Sequence, residues 1–294
     1  MATIGVDFGG TWIRAAVINS AGTAGKVFRI ETRSHRDAGS IMKDLTDLIE
    51  TTRSSGSDPI EAIGLAIPTT LNQENEMEPC PNLPTMPEFP IVRELANRFT
   101  EPVWIENDAR CFVLGEWRFG KGRGCETVAG ITLGTSVGLG VIAHGSLLIG
   151  KHRQAGEIWR SPARLDNHGG RDKNPRVHDL LRGQALEEMY TSRCGRQKSV
   201  QDIADAARDG DEASLGAFHD YGLMLGNALS WTANILDPDI IILGGSGAKD
   251  FELFAQAAAE VLHRPDVKLE KTELGELAAI LGAAEGAASS GRNK

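Results

Sequence analysis

The chain has 294 residues, 41% of them apolar and 24% charged, with a formal charge of −9. That length holds one large domain or two ordinary ones, and the apolar content excludes disorder as a global description. The acidic balance excludes nucleic-acid binding as the main function, because phosphate recognition needs clustered Lys and Arg. No apolar run approaches the ~20 residues of a membrane helix.

In chain order, residues 2–32 alternate as three strands separated by Gly-containing turns. The N-terminus enters that pattern almost at once, so no signal peptide is expected there. Residues 40–54 place Ile41, Leu45, Leu48 and Ile49 on one helical face. "IEAIGLAIP" is a buried-type strand ending at Pro68, followed by a Pro-rich irregular stretch to Pro90. A short helix "VRELANRF", a strand "PVWIEND" and a helix "ARCFVLGEWRFG" come next. The Gly-rich "GKGRG" at 120–124 is the expected domain boundary, giving domains over 1–119 and 120–294, with the last helix able to pack back on the first.

After that boundary the pattern restarts. Residues 127–150 again read as strand, Gly-rich turn, strand, short turn and strand. Helices follow at 177–190, 199–210 and 212–236, then the apolar strand "DIIILGG" and two further helices. Both halves thus open on a three-strand meander and continue with alternating helices and strands. This predicts two similar α/β domains around a cleft. The four cysteines, Cys80, Cys111, Cys125 and Cys194, form no C-x-x-C pair and read as reduced residues of a cytoplasmic protein.

The tips of the two opening hairpins, "DFGGT" and "LGTSVGLG", hold more glycine than a hairpin turn requires. Backbone N–H groups of such turns form concave anion sites, and glycine permits close approach. A third turn, "LGGSG" at 243–247, lies between a strand and a helix, where it could meet a nucleotide. Any one of these loops could be mere turn chemistry; three at strand ends point to a phosphate-binding cleft. Neither a Walker-type G-x-x-x-x-G-K-[ST] nor an early G-x-G-x-x-G is present, so a P-loop enzyme and a dinucleotide dehydrogenase are poorly supported.

Asn107 and Asp108 stand at the end of a strand and the start of a helix, where both residue types also serve as helix caps. The local pattern leaves capping and a functional carboxylate equally open. The set "VDFGGTWIR", "PNLP" (81–84), "ENDA", "LGTSVGLGVIAHG", "AGEI" (155–158) and "ILGGSG" resembles, in order and spacing, the ROK family of sugar kinases and related repressors, from Ile4 to about Gly286. The resemblance implies the actin-like, ribonuclease-H-like fold and ATP-dependent transfer to a hexose hydroxyl. It implies Asp108 as the catalytic base for the 6-hydroxyl, with Asn82, Asn107, Glu157 and Glu188 as sugar ligands. Glu187 stays open as the alternative to Glu188, because the alignment there needs a one-residue gap. Asp7 would position Mg²⁺ through water; Gly9, Gly10, Thr11, Gly134, Thr135 and Gly138 would hold phosphates; Gly244 and Gly245 would lie against the adenosine. Homodimers are frequent in the family, so a homodimer is expected by analogy.

The resemblance breaks after "GEI". Family members commonly continue with Gly-His and C-x-C-G-x-x-G-C, which binds a structural zinc, whereas this chain has Trp159 and Arg160 and no cysteine between Cys125 and Cys194. The spacing of His168, His178 and Cys194 matches no recognised metal site. No structural zinc is therefore expected. Trp159 is expected to pack where the metal loop would have stood, and Arg160 to reach Glu157 or a sugar hydroxyl, unless both face solvent in the polar segment that follows. The leading reading is a kinase for the 6-hydroxyl of glucose or a close relative. Mannose, fructose, allose or an N-acetylated amino sugar is the rival acceptor, and a sugar-responsive regulator is the rival class. The regulator is disfavoured on the expectation that a DNA-binding domain would precede the first hairpin.

Overall fold

A computed structural model of the chain describes residues 2–163 and 175–292, the side chains to 290. The chain forms two compact units: Met1–Gly124 with Leu147–Ala155 and Glu273–Lys294, and Cys125–Ser146 with Gly156–Thr272. This division differs from a single cut at the glycine-rich segment, since two pieces of the second half belong to the first unit.

In the first unit β1 (Ala2–Phe8), β2 (Trp12–Asn19) and β3 (Phe28–Glu31) make an antiparallel meander. Helix α1 (Ala38–Arg53) starts where the Asp37 carboxylate accepts from Ser40 N, and it buries Ile41, Leu45, Leu48 and Ile49 at helical spacing. It leads to β4 (Ile60–Ile67), which pairs parallel to β1. Helix α2 (Ile91–Arg98) then leads to β5 (Val103–Asn107), parallel to β4, and α3 (Asp108–Phe119) follows. The sheet order is β3-β2-β1-β4-β5. β1 and most of β4 are buried on both faces, as central strands of a covered sheet are.

The second unit repeats the scheme. β6 (Val128–Leu133) and β7 (Val137–Ala143) form a hairpin, β8 (Ser146–Leu147) flanks it, and β9 (Ile240–Gly244) runs parallel to β6. Between them come α4 (Val177–Leu181), α5 (Gly183–Cys194), α6 (Val200–Arg208) and α7 (Glu212–Leu236). After β9 come α8 (Phe251–Leu262) and β10 (Lys268–Lys271), in a sheet ordered β10-β9-β6-β7-β8. Each β6–β10 strand occupies the place of its β1–β5 counterpart. The core gathers Tyr190, Phe218, Leu225 and Phe254 between these helices and the sheet.

Two expectations need correction. Residues 177–190 are two helices, because Arg182 is extended (ψ 152°) and ends the first before Gly183 starts the second. β10 was not expected; its charged sequence KLEK lacks a strand's apolar alternation.

Helix α9 (Leu277–Arg292) lies against α3, β1 and β4 of the first unit. Glycine makes that approach possible. A Cβ on Gly64 of β4 would fall 1.9 Å from Ala283 O, and one on Gly282 of α9 would fall 1.7 Å from Cys111 O. Backbones pack where side chains would normally separate them. All four cysteines are free thiols. Among the described residues no helix is long and apolar enough to cross a membrane.

Candidate functional site

The candidate residues divide between the two units. In the first, β1 carries Asp7 directly opposite Arg14 of β2, and Arg14 Nη1 donates to Asp7 Oδ2 at 3.1 Å. Burial raises the Asp7 carboxyl to about 6, even though the Arg14 guanidinium pulls the other way. Beyond Asp7 the chain turns tightly: Gly9 N donates to Trp12 O at 3.0 Å, and Thr32 Oγ1 donates to Gly9 O at 2.6 Å. Thr11 is exposed at the tip. A Cβ on Gly10 would meet Asn82 O at 2.5 Å, so glycine alone lets the hairpin tip meet the 81–84 segment. The half-buried Asn82 side chain has no hydrogen bond to another described residue.

Asn107 ends β5 with extended geometry (ψ 144°) and caps α3, its Oδ1 accepting from Ala109 N and Arg110 N at 3.0 and 3.3 Å. Its Nδ2 donates to Thr69 O at 3.4 Å and to Asp108 Oδ1 at 3.1 Å. Asp108 is the first helical residue, and its Oδ1 also accepts from Ala109 N at 2.7 Å. Capping and a positioned carboxylate therefore coexist at this junction.

Beneath it lies a network that the sequence reading missed. Glu106 and Arg110 are 2% and 1% exposed and pair at 2.8 Å. Arg153 Nη2 donates to the other Glu106 oxygen at 2.9 Å, and Arg110 Nη2 donates to the carbonyls of Arg153 and Ala155 at 2.8 and 2.9 Å. Glu106 Oε1 also accepts from Asn107 N at 2.9 Å. The i,i+4 spacing of Glu106 and Arg110 was the available signal, but nothing local marks either as buried. This network holds 147–155 to the first unit and fixes the peptide that leads into Asp108.

In the second unit the β6–β7 turn closes with Gly134 N donating to Ser136 O at 3.0 Å, leaving Thr135 exposed. Gly183 N at the start of α5 donates to Gly134 O at 3.0 Å, and Ser136 Oγ lies 3.2 Å from His178 Nδ1. Gly138 is already in β7, opposite Thr132, and Gly244 ends β9 opposite the same residue. Gly245 takes φ 80°, and a Cβ there would sit 2.3 Å from Leu133 O. Ser246 Oγ lies 3.6 Å from where a Cβ on Gly134 would stand. The second and third glycine turns are thus brought together.

Gly156 has φ 87°, and a Cβ on it would strike Leu139 O at 1.9 Å, so only glycine holds the following turn against β7. That turn presents Glu157 and the short 3-10 helix Ile158–Arg160. Trp159 Nε1 donates to Glu157 Oε2 at 2.5 Å, and Arg160 Nε lies 3.5 Å from the same oxygen. Glu188 is 53% exposed and accepts from Arg182 Nη2 at 2.8 Å; it makes no bond to the Glu157 cluster. Glu187 Oε1 accepts from Val200 N at 3.2 Å at the start of α6.

Among the described residues no group of three or more His, Cys, Asp or Glu is placed to hold a metal ion. His168 lies outside the described residues, as does most of the polar segment around it. For Mg²⁺, the usual arrangement needs only one or two carboxylates, with phosphates and waters as the other ligands. Asp7 fits that requirement: it is a half-buried acid beside a glycine turn, and its carboxyl is raised to about 6 by desolvation in spite of the Arg14 pair.

The sequence model of the ROK family matches residues 3–289. A glucokinase of Thermotoga maritima is 28% identical over 85% of this chain and 83% of its own length. An N-acetylgalactosamine kinase of Shewanella sp., AgaK, is 30% identical over 85% of this chain and 83% of its own. The crystal structure of a ROK family glucokinase from Streptomyces griseus, in complex with glucose and AMPPNP, superposes with a TM-score of 0.83 at 25% identity, covering 98% of this chain and 100% of that one. The two like-ordered sheets with their helices are the actin-like ATPase fold, and the chain belongs to the ROK family.

Proposed function

We propose that this ROK sugar kinase transfers the γ-phosphoryl group of ATP to the 6-hydroxyl of a hexose, glucose or a close relative. The observation that carries the reading is Asp108 at the first position of α3, with its Oδ1 held by Asn107 Nδ2 and Ala109 N. A carboxylate fixed in this way can orient a primary alcohol and accept its proton late in the transfer. Phosphoryl transfer asks the protein for positioning and charge stabilisation rather than covalent chemistry.

Asn82 offers an uncommitted amide to a sugar hydroxyl, and Asn107 is assigned the same role, for which its Nδ2 would have to give up the 3.4 Å bond to Thr69 O. Glu157 accepts from a ring hydroxyl, with Arg160 beside it. Glu188 is assigned the same role, for which its pair with Arg182 would have to open. Gly9, Gly10, Thr11, Gly134, Thr135 and Gly138 are assigned to the phosphates, with Gly244 and Gly245 against the adenosine. The exposed Thr11 and Thr135 offer hydroxyl donors, while the N–H groups of Gly9 and Gly134 close their own turns and these glycines leave room for close approach. Asp7 would hold Mg²⁺ through water, and the metal would supply positive charge at the phosphates.

The test is ADP release with a panel of glucose, mannose, fructose, allose, N-acetylglucosamine and N-acetylgalactosamine. The highest kcat/KM is expected with glucose or an epimer, with the product phosphorylated at position 6. A preference for an N-acetylated amino sugar would favour the second reading, which the 30% identity to the Shewanella kinase supports. Sugar binding without phosphoryl transfer to any acceptor would point to a regulator.

A further inference from the structure

Trp159 and Arg160 both converge on one oxygen of Glu157. The indole N–H donates to Oε2 at 2.5 Å, and Arg160 Nε approaches the same atom at 3.5 Å. The indole is itself held from two sides. The Arg160 guanidinium sits 4.8 Å over its ring, and the His178 ring meets it edge-on at 6.1 Å and 67°. His178 is anchored in turn by Ser136 Oγ at 3.2 Å. Trp159 also packs against the apolar core of its unit. Oε2 is therefore committed, because freeing it means displacing a ring with three neighbours. Oε1 has no partner among the described residues.

Two adjacent ring hydroxyls meet a carboxylate side by side, one on each oxygen, and that paired arrangement is lost when one oxygen is taken, even though a single oxygen has two acceptor positions. Here one oxygen is open. We propose that Trp159 is a specificity-determining residue that restricts Glu157 to a single sugar hydroxyl. The enzyme then demands that hydroxyl and is nearly indifferent to its neighbour on the ring. The acceptor class is hexoses that share one ring hydroxyl and differ at the adjacent carbon, epimers and deoxy analogues included. This inference rests on the assignment of Glu157 as a sugar ligand. A site built to hydrogen-bond a hydroxyl rejects an analogue lacking it, because its own polar group is left unpaired.

The experiment measures kcat/KM for the preferred hexose and its monodeoxy analogues at every ring position except the acceptor. It uses the wild type, Trp159→Phe, Trp159→Leu and Glu157→Gln, with thermal melts to verify folding. In the wild type, one deoxy analogue is expected to lose about 10²-fold or more, and Glu157→Gln to erase that penalty alone. Both Trp159 variants remove the indole donor, leave Oε2 with the longer 3.5 Å Arg160 contact alone, and bring in a penalty of about 10-fold at an adjacent position. Two adjacent Glu157-dependent positions already present in the wild type would overturn the proposal, as would an unchanged profile in the folded Trp159 variants. If Glu157→Gln leaves every sugar unaffected, the assignment of Glu157 itself has failed and the proposal falls with it.

Discussion

At the scale of single residues, two carboxylates carry the reading and respond differently to neutralisation. Asp108→Asn keeps the shape and suits a helix start, so fold and sugar affinity should persist while turnover falls by about 10² or more. Steady-state kinetics with calorimetric sugar binding checks this, and turnover within a few-fold of wild type would remove Asp108 from its role. Asp7 has its proton held more tightly folded than unfolded, the carboxyl rising from 3.8 to about 6. Its stabilising contribution is thus complete below about pH 4 and lost as pH climbs to about 6 and beyond, by up to about 3 kcal/mol. Asp7→Asn should remove that slope. Urea unfolding at several pH values should show the variant gaining on wild type by that amount between pH 4 and 7, whatever their offset at pH 4; parallel curves would contradict the burial of Asp7. The types and order of Asp7, Asn82, Asn107 and Asp108 were legible in the sequence. Glu106 and Arg110 were not, since a charged pair is read as solvated until the fold reveals what covers it.

At the scale of elements, period-two alternation exposed the two meanders, and the 3.6-residue period exposed α1. The α4–α5 break was hidden because Arg182, which takes the extended backbone there, carries no stop signal of its own, unlike Pro or Gly. The α9 contact was equally hidden, since glycines spread over β1, β4, α3 and α9 acquire their meaning only in combination. Gly282→Ala tests that contact. Alanine favours an isolated helix by about 1 kcal/mol, yet its methyl would fall 1.7 Å from Cys111 O and force α3 and α9 apart. Overpacking of this kind costs roughly 1–3 kcal/mol or more. A net loss of about 1–2 kcal/mol is expected in chemical denaturation, and a gain would show that the helices are not in backbone contact.

At the scale of the whole molecule, one strand order serves twice, β3-β2-β1-β4-β5 and β8-β7-β6-β9-β10. The order of elements predicted this repetition even though residue identity between the halves is slight. What no element order reveals is that the first unit is discontinuous, completed by Leu147–Ala155 and Glu273–Lys294. A chain ending at Thr272 lacks the helix that covers Gly5 and Gly64. Hydrogen exchange on that truncated chain should show β1 and β4 losing protection while β6 and β9 keep theirs. Unchanged protection of β1 and β4 would mean that α9 is dispensable.

The place of α9 has a further consequence during synthesis. The ribosome makes the first unit's sheet early, but the helix that covers it follows the whole second unit. At ordinary elongation rates the interval is on the order of 10 s. Throughout it the faces of β1 and β4 that α9 covers wait on the nascent chain without their partner, while the strands β6 to β10 are still being made. The unit begun first is finished last, and the interval before α9 emerges is when this chain is most exposed to aggregation and most in need of a chaperone.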